Sequence, residues 1–344
     1  NNIMNNNFFK TWLYSYYKYV HIYEKIKPKI FDVSLRDGIQ RCQDLQKYST
    51  QNKKNIYKSI IHNYDPKYIE IGSFINPKIL PIMQDSLELF KNIHDESQNQ
   101  DEDKNQINVN LNPDIFLLIP SLKKMHEMQQ NHPDIFSICN NFSLITSVSD
   151  EFQKKNINKS LIETKNEIKD IIHFLRENKT KNKIYIKLYI SCINECPITG
   201  KIDNDYIVNE LLEYTMKYNI NNLCLSDTCG TLRLKDFEYI IDRCILYGIP
   251  NDIISVHLHY NYNDTKERKR VKEIIYSSFN RKINLFDISL FNEGGSITMK
   301  RENLKSNLTY ELFYELLMDY IIKECNNQTM SKSENESESE SQVK

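Results

Sequence analysis

Eight short apolar runs, each followed by a longer stretch with helical periodicity, constrain the fold of this chain more than any other feature. Residues 30–33, 68–71, 115–119, 142–146, 184–190, 222–225, 254–258 and 285–289 are rich in β-branched and aromatic side chains. They are apolar on both faces, as strands covered on both sides of a parallel sheet must be. Between them, segments such as 50–63, 160–177, 205–218, 234–247 and 266–278 repeat apolar residues at helical spacing. Eight βα units of this rhythm predict an α/β TIM (β/α)8 barrel, with a doubly wound open sheet as the structural alternative. The predicted barrel domain occupies residues 30–325, within a chain of 344 residues that is long enough for one such barrel with loops and tails.

Composition narrows the partners. Lys and Arg number 45 against 46 Asp and Glu, a formal net charge of −1, so no basic surplus exists to neutralise a nucleic-acid backbone or dock on anionic lipid. No run of apolar residues reaches the length of a spanning helix. The eight Cys include no CxxC pair, and Cys192 and Cys196 form a CxxxC with no matching His pair, which reads as reduced thiols of an intracellular protein. Residues 1–29 carry five Lys, one Glu and many aromatics, a composition that leaves both an ordinary N-terminal extension and a mitochondrial targeting segment open. The polar acidic stretch TMSKSENESESESQVK makes 326–344 a disordered tail, and DESQNQDEDKNQ at 95–106 reads as an inserted surface loop.

Residues able to do chemistry gather just after the strand candidates, at the C-terminal rim where a barrel builds its site. Arg36, Asp37 and Gly38 follow the first strand; alone, such a pair is as readily a salt-bridged turn as a site. His257 and His259 stand two apart in ISVHLHY, and strand alternation sends both imidazoles to the same side, as two ligands of one cation require. With Asp37 they offer one carboxylate and two nitrogens, a set that suits Mg²⁺ or Mn²⁺ and also accepts Zn²⁺. Glu70 and Asp227 are further rim candidates, either catalytic or orienting a His or Arg from behind. Gly294 and Gly295 precede Ser296 in one loop of a chain with only 7 Gly, which implies flexibility or close backbone approach.

Several blocks, in order, resemble hydroxymethylglutaryl-CoA lyase and its TIM-barrel family of metal-dependent lyases and synthases: DVSLRDGIQ, IEIGSFINPKILPIM, FQKKNINKS, YISCINECPITGKI, LSDTCG, VHLHYN and FDISLFNEGG. RDG with HxH is diagnostic of the superfamily; SFINPK, KKNIN and SCINECPITGKI are similar to the lyase branch. The resemblance implies cleavage of hydroxymethylglutaryl-CoA to acetyl-CoA and acetoacetate, with an acyl-CoA substrate and a Mg²⁺ or Mn²⁺ cofactor. It implies that Arg36 faces the thioester oxygen, that Asp37, His257 and His259 bind the metal, and that Asn307 is a fourth ligand. It departs from the family at Ser296, which stands where the family carries a Cys thought to return a proton to the enolate carbon. That departure keeps a catalytically impaired barrel open beside the lyase, as does a related aldolase or acyl-CoA synthase activity. A homodimer, and a mitochondrial or a cytoplasmic address, are left open.

Overall fold

The computed structural model describes residues 5–102, 113–179, 183–295, 299–300 and 304–341. Eight strands appear where the apolar runs predict them: β1 (Lys29–Asp32), β2 (Tyr68–Ser73), β3 (Asp114–Leu118), β4 (Asn141–Ser147), β5 (Tyr185–Ser191), β6 (Asn222–Asp227), β7 (Ile254–Tyr260) and β8 (Leu285–Ile288). Each pairs in parallel with the next, and β8 returns to β1 with Asp287 opposite Phe31. The ring is closed, so the barrel and not the open sheet is the fold. Several strands run past their predicted C-terminal ends into polar residues, to Ser73, Asp227 and Tyr260, because pairing persists where the side chains turn polar toward the mouth.

Helices α3 (Thr50–Tyr64), α4 (Ser86–Glu102), α5 (Leu122–Asn131), α6 (Pro133–Ile138), α7 (Asp150–Ile157), α8 (Leu161–Asn178), α9 (Asn204–Lys217), α10 (Leu234–Leu246), α11 (Thr265–Asn280) and α12 (Tyr310–Ser341) lie in the connections or follow the last strand. Six of them start at a Ser or Asp whose side chain accepts an otherwise unpaired N–H: Ser49, Ser121, Ser149, Ser160, Asp203 and Asp264. These caps set where each helix leaves the rim, and thereby where the preceding loop can place a functional side chain.

The barrel interior is filled in layers, as closed eight-stranded barrels are. At the N-terminal end Phe31, Tyr68, Phe116 and Leu285 form a buried cluster with Tyr185 against it. Phe116 is its hub, with ring centroids 4.9 Å from Phe31, 5.7 Å from Tyr68 and 5.4 Å from Tyr185. Toward the C-terminal end the inward residues become Lys187, Asp287, Glu70, Tyr189 and His257, all buried.

Within the N-terminal extension, α1 (Asn6–Tyr14) and α2 (Tyr17–Ile26) bury Phe9, Leu13, Ile22 and Ile26 in the main core, and Phe9 stacks on Tyr314 at 5.2 Å. The tract at 95–106 is not simply a loop, since its first part continues α4 to Glu102; a helix anchored by buried Leu89, Phe90 and Ile93 propagates readily through Gln and Glu. At the other end α12 buries residues as far as Cys325, where the acidic tail predicted from the sequence begins.

Candidate active site and metal centre

After β1 the chain turns through a short 3₁₀ segment (Asp37–Ile39), which swings Arg36 and Asp37 inward over the barrel mouth. His257 and His259 leave β7 on the same side, as strand parity predicts, with ring centroids 4.7 Å apart. Each Nε2 lies 3.7 Å from Asp37 Oδ2, too long for a hydrogen bond. One ligand atom from each of Asp37, His257 and His259 lies within 4.8 Å of the others, and all three side chains are buried. A two-residue strand, Ser306–Asn307, pairs antiparallel with β7 and sets Asn307 opposite His259. Sequence blocks far apart in the chain therefore converge on one point.

The hydrogen bonds show what is held and what is left open. Asp37 Oδ1 accepts from Arg36 Nη1 at 2.9 Å and from Gln40 Nε2 at 2.6 Å, while Oδ2 has no hydrogen-bond partner among the described residues. His259 Nε2 and both amide atoms of Asn307 are likewise buried without a partner among the described residues. Buried polar atoms are normally paired, so the orphaned lone pairs of Asp37 Oδ2, His259 Nε2 and Asn307 Oδ1 call for a common ligand. A divalent cation fits: the donors are one carboxylate oxygen, an amide oxygen and two imidazole nitrogens, and the far side of each imidazole is already anchored. His257 Nδ1 lies 3.1 Å from Asp287 Oδ2, and His259 Nδ1 lies 3.1 Å from the Asp227 carbonyl oxygen. Burial pushes the Asp37 carboxyl up, but Arg36 beside it and the two imidazoles outweigh that and hold it well below the usual carboxylate range.

Glu70 and Asp227 stand behind this centre. Glu70 is fully buried on β2 and accepts from Arg36 Nε and, at 3.2 Å, from the Tyr189 hydroxyl, so it aims the guanidinium. Tyr189 also places its ring under Arg36, 4.8 Å from the guanidinium carbon. The Asp227 carboxylate faces away from the cavity, accepting from the N–H groups of Thr231 and Leu232 and from Arg270 at 2.8 Å. Its contribution to the centre is the backbone oxygen that orients His259. Gly294 comes so close to the first turn that a Cβ there would meet the Asp37 carbonyl oxygen at 2.2 Å, while Gln40 Nε2 reaches the Gly295 oxygen at 2.7 Å. Ser296 lies outside the described residues.

Sequence reasoning missed Asp287, Lys187, Gln40 and Tyr189. A signal for the first two existed: Lys187 and Asp287 are charged residues inside otherwise apolar strands, and such residues need partners. The centre opens into a cavity of about 520 Å³ lined by Arg36, Asp37, His257 and His259, by Lys123, Lys124 and Lys159, and by apolar side chains including Ile75, Leu80 and Met83. All eight Cys are free thiols, and among the described residues no helix is long and apolar enough to cross a membrane.

Fold and site together define a closed (β/α)8 barrel with a candidate metal centre at its mouth. The HMGL-like family profile matches residues 27–264, and the chain belongs to that family. It is similar to the hydroxymethylglutaryl-CoA lyase YngG of Bacillus subtilis, 23% identical over 233 residues that make up 68% of each chain. A Pseudomonas aeruginosa relative, a 3-hydroxy-3-isohexenylglutaryl-CoA/hydroxymethylglutaryl-CoA lyase, is 23% identical over 273 residues, 78% of each chain. Among solved structures, an HMG-CoA lyase from Acinetobacter baumannii in complex with coenzyme A and 3-methylmalate superposes with a TM-score of 0.65 at 19% identity, covering 86% of this chain and 88% of that one. Curated relatives carry both "cytoplasmic" and "mitochondrial" in their names.

Proposed function

We propose that the chain is a divalent-metal-dependent carbon–carbon lyase that cleaves hydroxymethylglutaryl-CoA to acetyl-CoA and acetoacetate. The observation that carries this reading is the set of orphaned buried atoms on Asp37, His259 and Asn307, converging with His257 beside the aimed guanidinium of Arg36. Asp37, His257, His259 and Asn307 would hold Mg²⁺ or Mn²⁺, which supplies Lewis acidity to lower the pKa of the tertiary hydroxyl. The hydroxyl proton passes to the Asp37 carboxylate, and the bond between C2 and C3 breaks with its electrons moving to the acetyl-CoA fragment. Negative charge then develops on the thioester oxygen. With Nε and Nη1 of Arg36 taken by Glu70 and Asp37, the remaining amino group is the donor that meets that oxygen. The lysines of the cavity wall suit the phosphates of a coenzyme A thioester, and the A. baumannii relative is in complex with coenzyme A itself.

The last step returns a proton to the enolate carbon, and Ser296 occupies the position of the family's Cys. A hydroxyl is a far weaker acid than a thiol of pKa about 8.5, and general acid catalysis is typically worth about 10²–10⁴-fold, so turnover is slow. This same residue favours the second reading, a barrel that binds metal and ligand without turnover. A coupled assay for acetoacetate under saturating Mg²⁺ or Mn²⁺ separates them. Slow release in the wild type and faster release from Ser296→Cys, at unchanged metal affinity, is the expected result. Release from neither protein overturns the lyase reading, and a different product assigns an aldolase or synthase.

A further inference from the structure

Lys187 and Asp287 form an ion pair in the middle of the barrel, where no water reaches. Both side chains are completely buried, and Lys187 Nζ donates to Asp287 Oδ1 at 2.6 Å. The ammonium is further enclosed by aromatic faces, 3.7 Å from the ring centroid of Phe31 and 4.8 Å from that of Tyr189. A buried pair of this kind is weak evidence for stability, because the cost of stripping water from two charges offsets most of their attraction. Hydrophobic residues fill the same barrel one layer below. The pair needs another explanation.

Its geometry supplies one. The Asp287 carboxylate divides its oxygens: Oδ1 is held by Lys187, and Oδ2 lies 3.1 Å from His257 Nδ1. A weak third contact, from Cys224 Sγ at 3.6 Å, also falls on Oδ2. The carboxylate therefore cannot rotate without losing the lysine. With Nδ1–H donated to Oδ2, the lone pair of His257 is placed on Nε2, the atom that faces Asp37 Oδ2 across 3.7 Å. His259 has no such side-chain support; its Nδ1 meets a backbone oxygen that is fixed by the turn after β6. Of the two imidazoles, His257 is the one whose orientation depends on a chain of side chains.

We infer that Lys187 and Asp287 are positioning residues of the metal centre, Lys187 fixing the Asp287 carboxylate and Asp287 fixing the His257 ring with Nε2 toward Asp37. The inference rests on the proposed reading of Asp37, His257 and His259 as ligands of one cation. Three strands take part, β5 through Lys187, β8 through Asp287 and β7 through His257, so the His257 ring is referenced to the barrel wall and not to the rim loops.

The test measures Mn²⁺ affinity directly, by calorimetric titration of the apoprotein, in the wild type, Asp287→Asn, Lys187→Met and the double variant. Loss of a group that orients a metal-bound histidine typically weakens binding by about 10–100-fold, and that is the loss expected for Asp287→Asn. Either single variant leaves a buried charge unpaired and is prone to unfold, so the double variant decides. It carries no unpaired charge and is expected to keep the wild-type denaturation midpoint while its Mn²⁺ affinity stays at least about 10-fold weaker. A folded double variant that binds Mn²⁺ within about twofold of the wild type overturns the inference and leaves the pair a structural staple. A wild type that binds no Mn²⁺ overturns the metal reading itself, a failure distinct from that of the positioning role.

Discussion

At the N-terminal end of the barrel interior, Phe31, Tyr68, Phe116 and Tyr185 interlock ring against ring, whereas at the mouth Asp37, His259 and Asn307 keep buried polar atoms without partners. The same eight strands line both ends. The difference teaches where this fold gets its stability and where it gives some up: the aromatic layer gains from burial, and the unpaired atoms above it cost desolvation that only a ligand can restore. Phe116→Ala is expected to test the lower end most severely, removing about 3–5 kcal/mol of unfolding free energy in a urea titration. The rise in melting temperature on adding metal should survive in that variant. If both are lost together, the two ends are one coupled unit and the contrast breaks.

The mouth is tested by variants that leave the fold alone. Arg36→Met paired with Glu70→Gln removes both members of one buried ion pair, and leaves the Asp37 carboxylate with Gln40 and a bound cation in place of the guanidinium. With saturating Mn²⁺ to balance Asp37, that variant is expected to keep the midpoint of the metal-loaded wild type and to lose about 10²–10³ in acetoacetate release, the usual worth of a donor aimed at a developing oxyanion. A lowered midpoint would show that Arg36 serves stability as well. Next in size, His257→Ala with His259→Ala should abolish the stabilisation by Mn²⁺, about 2.7 kcal/mol at a hundredfold excess over the dissociation constant. An unchanged metal response in the differential scanning trace would place the cation elsewhere.

Much of this was legible in the sequence, for reasons that differ between fold and site. The eight strands were visible because burial on both faces forces an unbroken apolar run, and the pairing of His257 with His259 because alternation along a strand is a fixed geometric rule. The roles of Glu70 and Asp227 were not, because a rim carboxylate reads the same whether it points into the cavity or, like that of Asp227, back toward Thr231, Leu232 and Arg270. Asp287 and Lys187 escaped because each is a single charge in its own strand, and their meeting depends on barrel closure, which brings residues 100 apart into contact. The packing of the two N-terminal helices escaped because their aromatic spacing suits an amphipathic leader and a packed helix equally, and the ring that Phe9 stacks on, Tyr314, lies at the other end of the chain.

Two buried carboxylates five residues apart give the finest comparison and the smallest predicted effect. Asp37 is held low by Arg36, whereas Asp32, on the outward side of β1, has no cation among its hydrogen-bond partners. It accepts from the Tyr310 hydroxyl at 2.7 Å, the Ser34 hydroxyl at 2.8 Å and the Ser34 N–H at 2.9 Å, with Tyr64 of α3 and Asp287 of β8 also bearing on it. Burial raises its pKa to about 6; the hydrogen bonds only partly oppose this, and the Asp287 charge adds to it. The sign follows from proton binding. Between the unfolded value of about 3.9 and the folded value of about 6, the folded state binds more protons, so this group's contribution to stability falls as pH rises through that window. Asp37 and Asp287, both held low, act in the opposite sense: their stabilisation is present above the unfolded value and lost as pH falls. Asp32→Asn retains an acceptor for Tyr310 and cannot ionise. Relative to this variant, the wild type is expected to lose about 1 kcal/mol of unfolding free energy on going from about pH 4.5 to about pH 5.5. Parallel stability curves for the two proteins across that interval would mean that Asp32 is ionised in the folded state throughout, and that the α12 side of β1 is as tolerant of negative charge as its turn at the mouth.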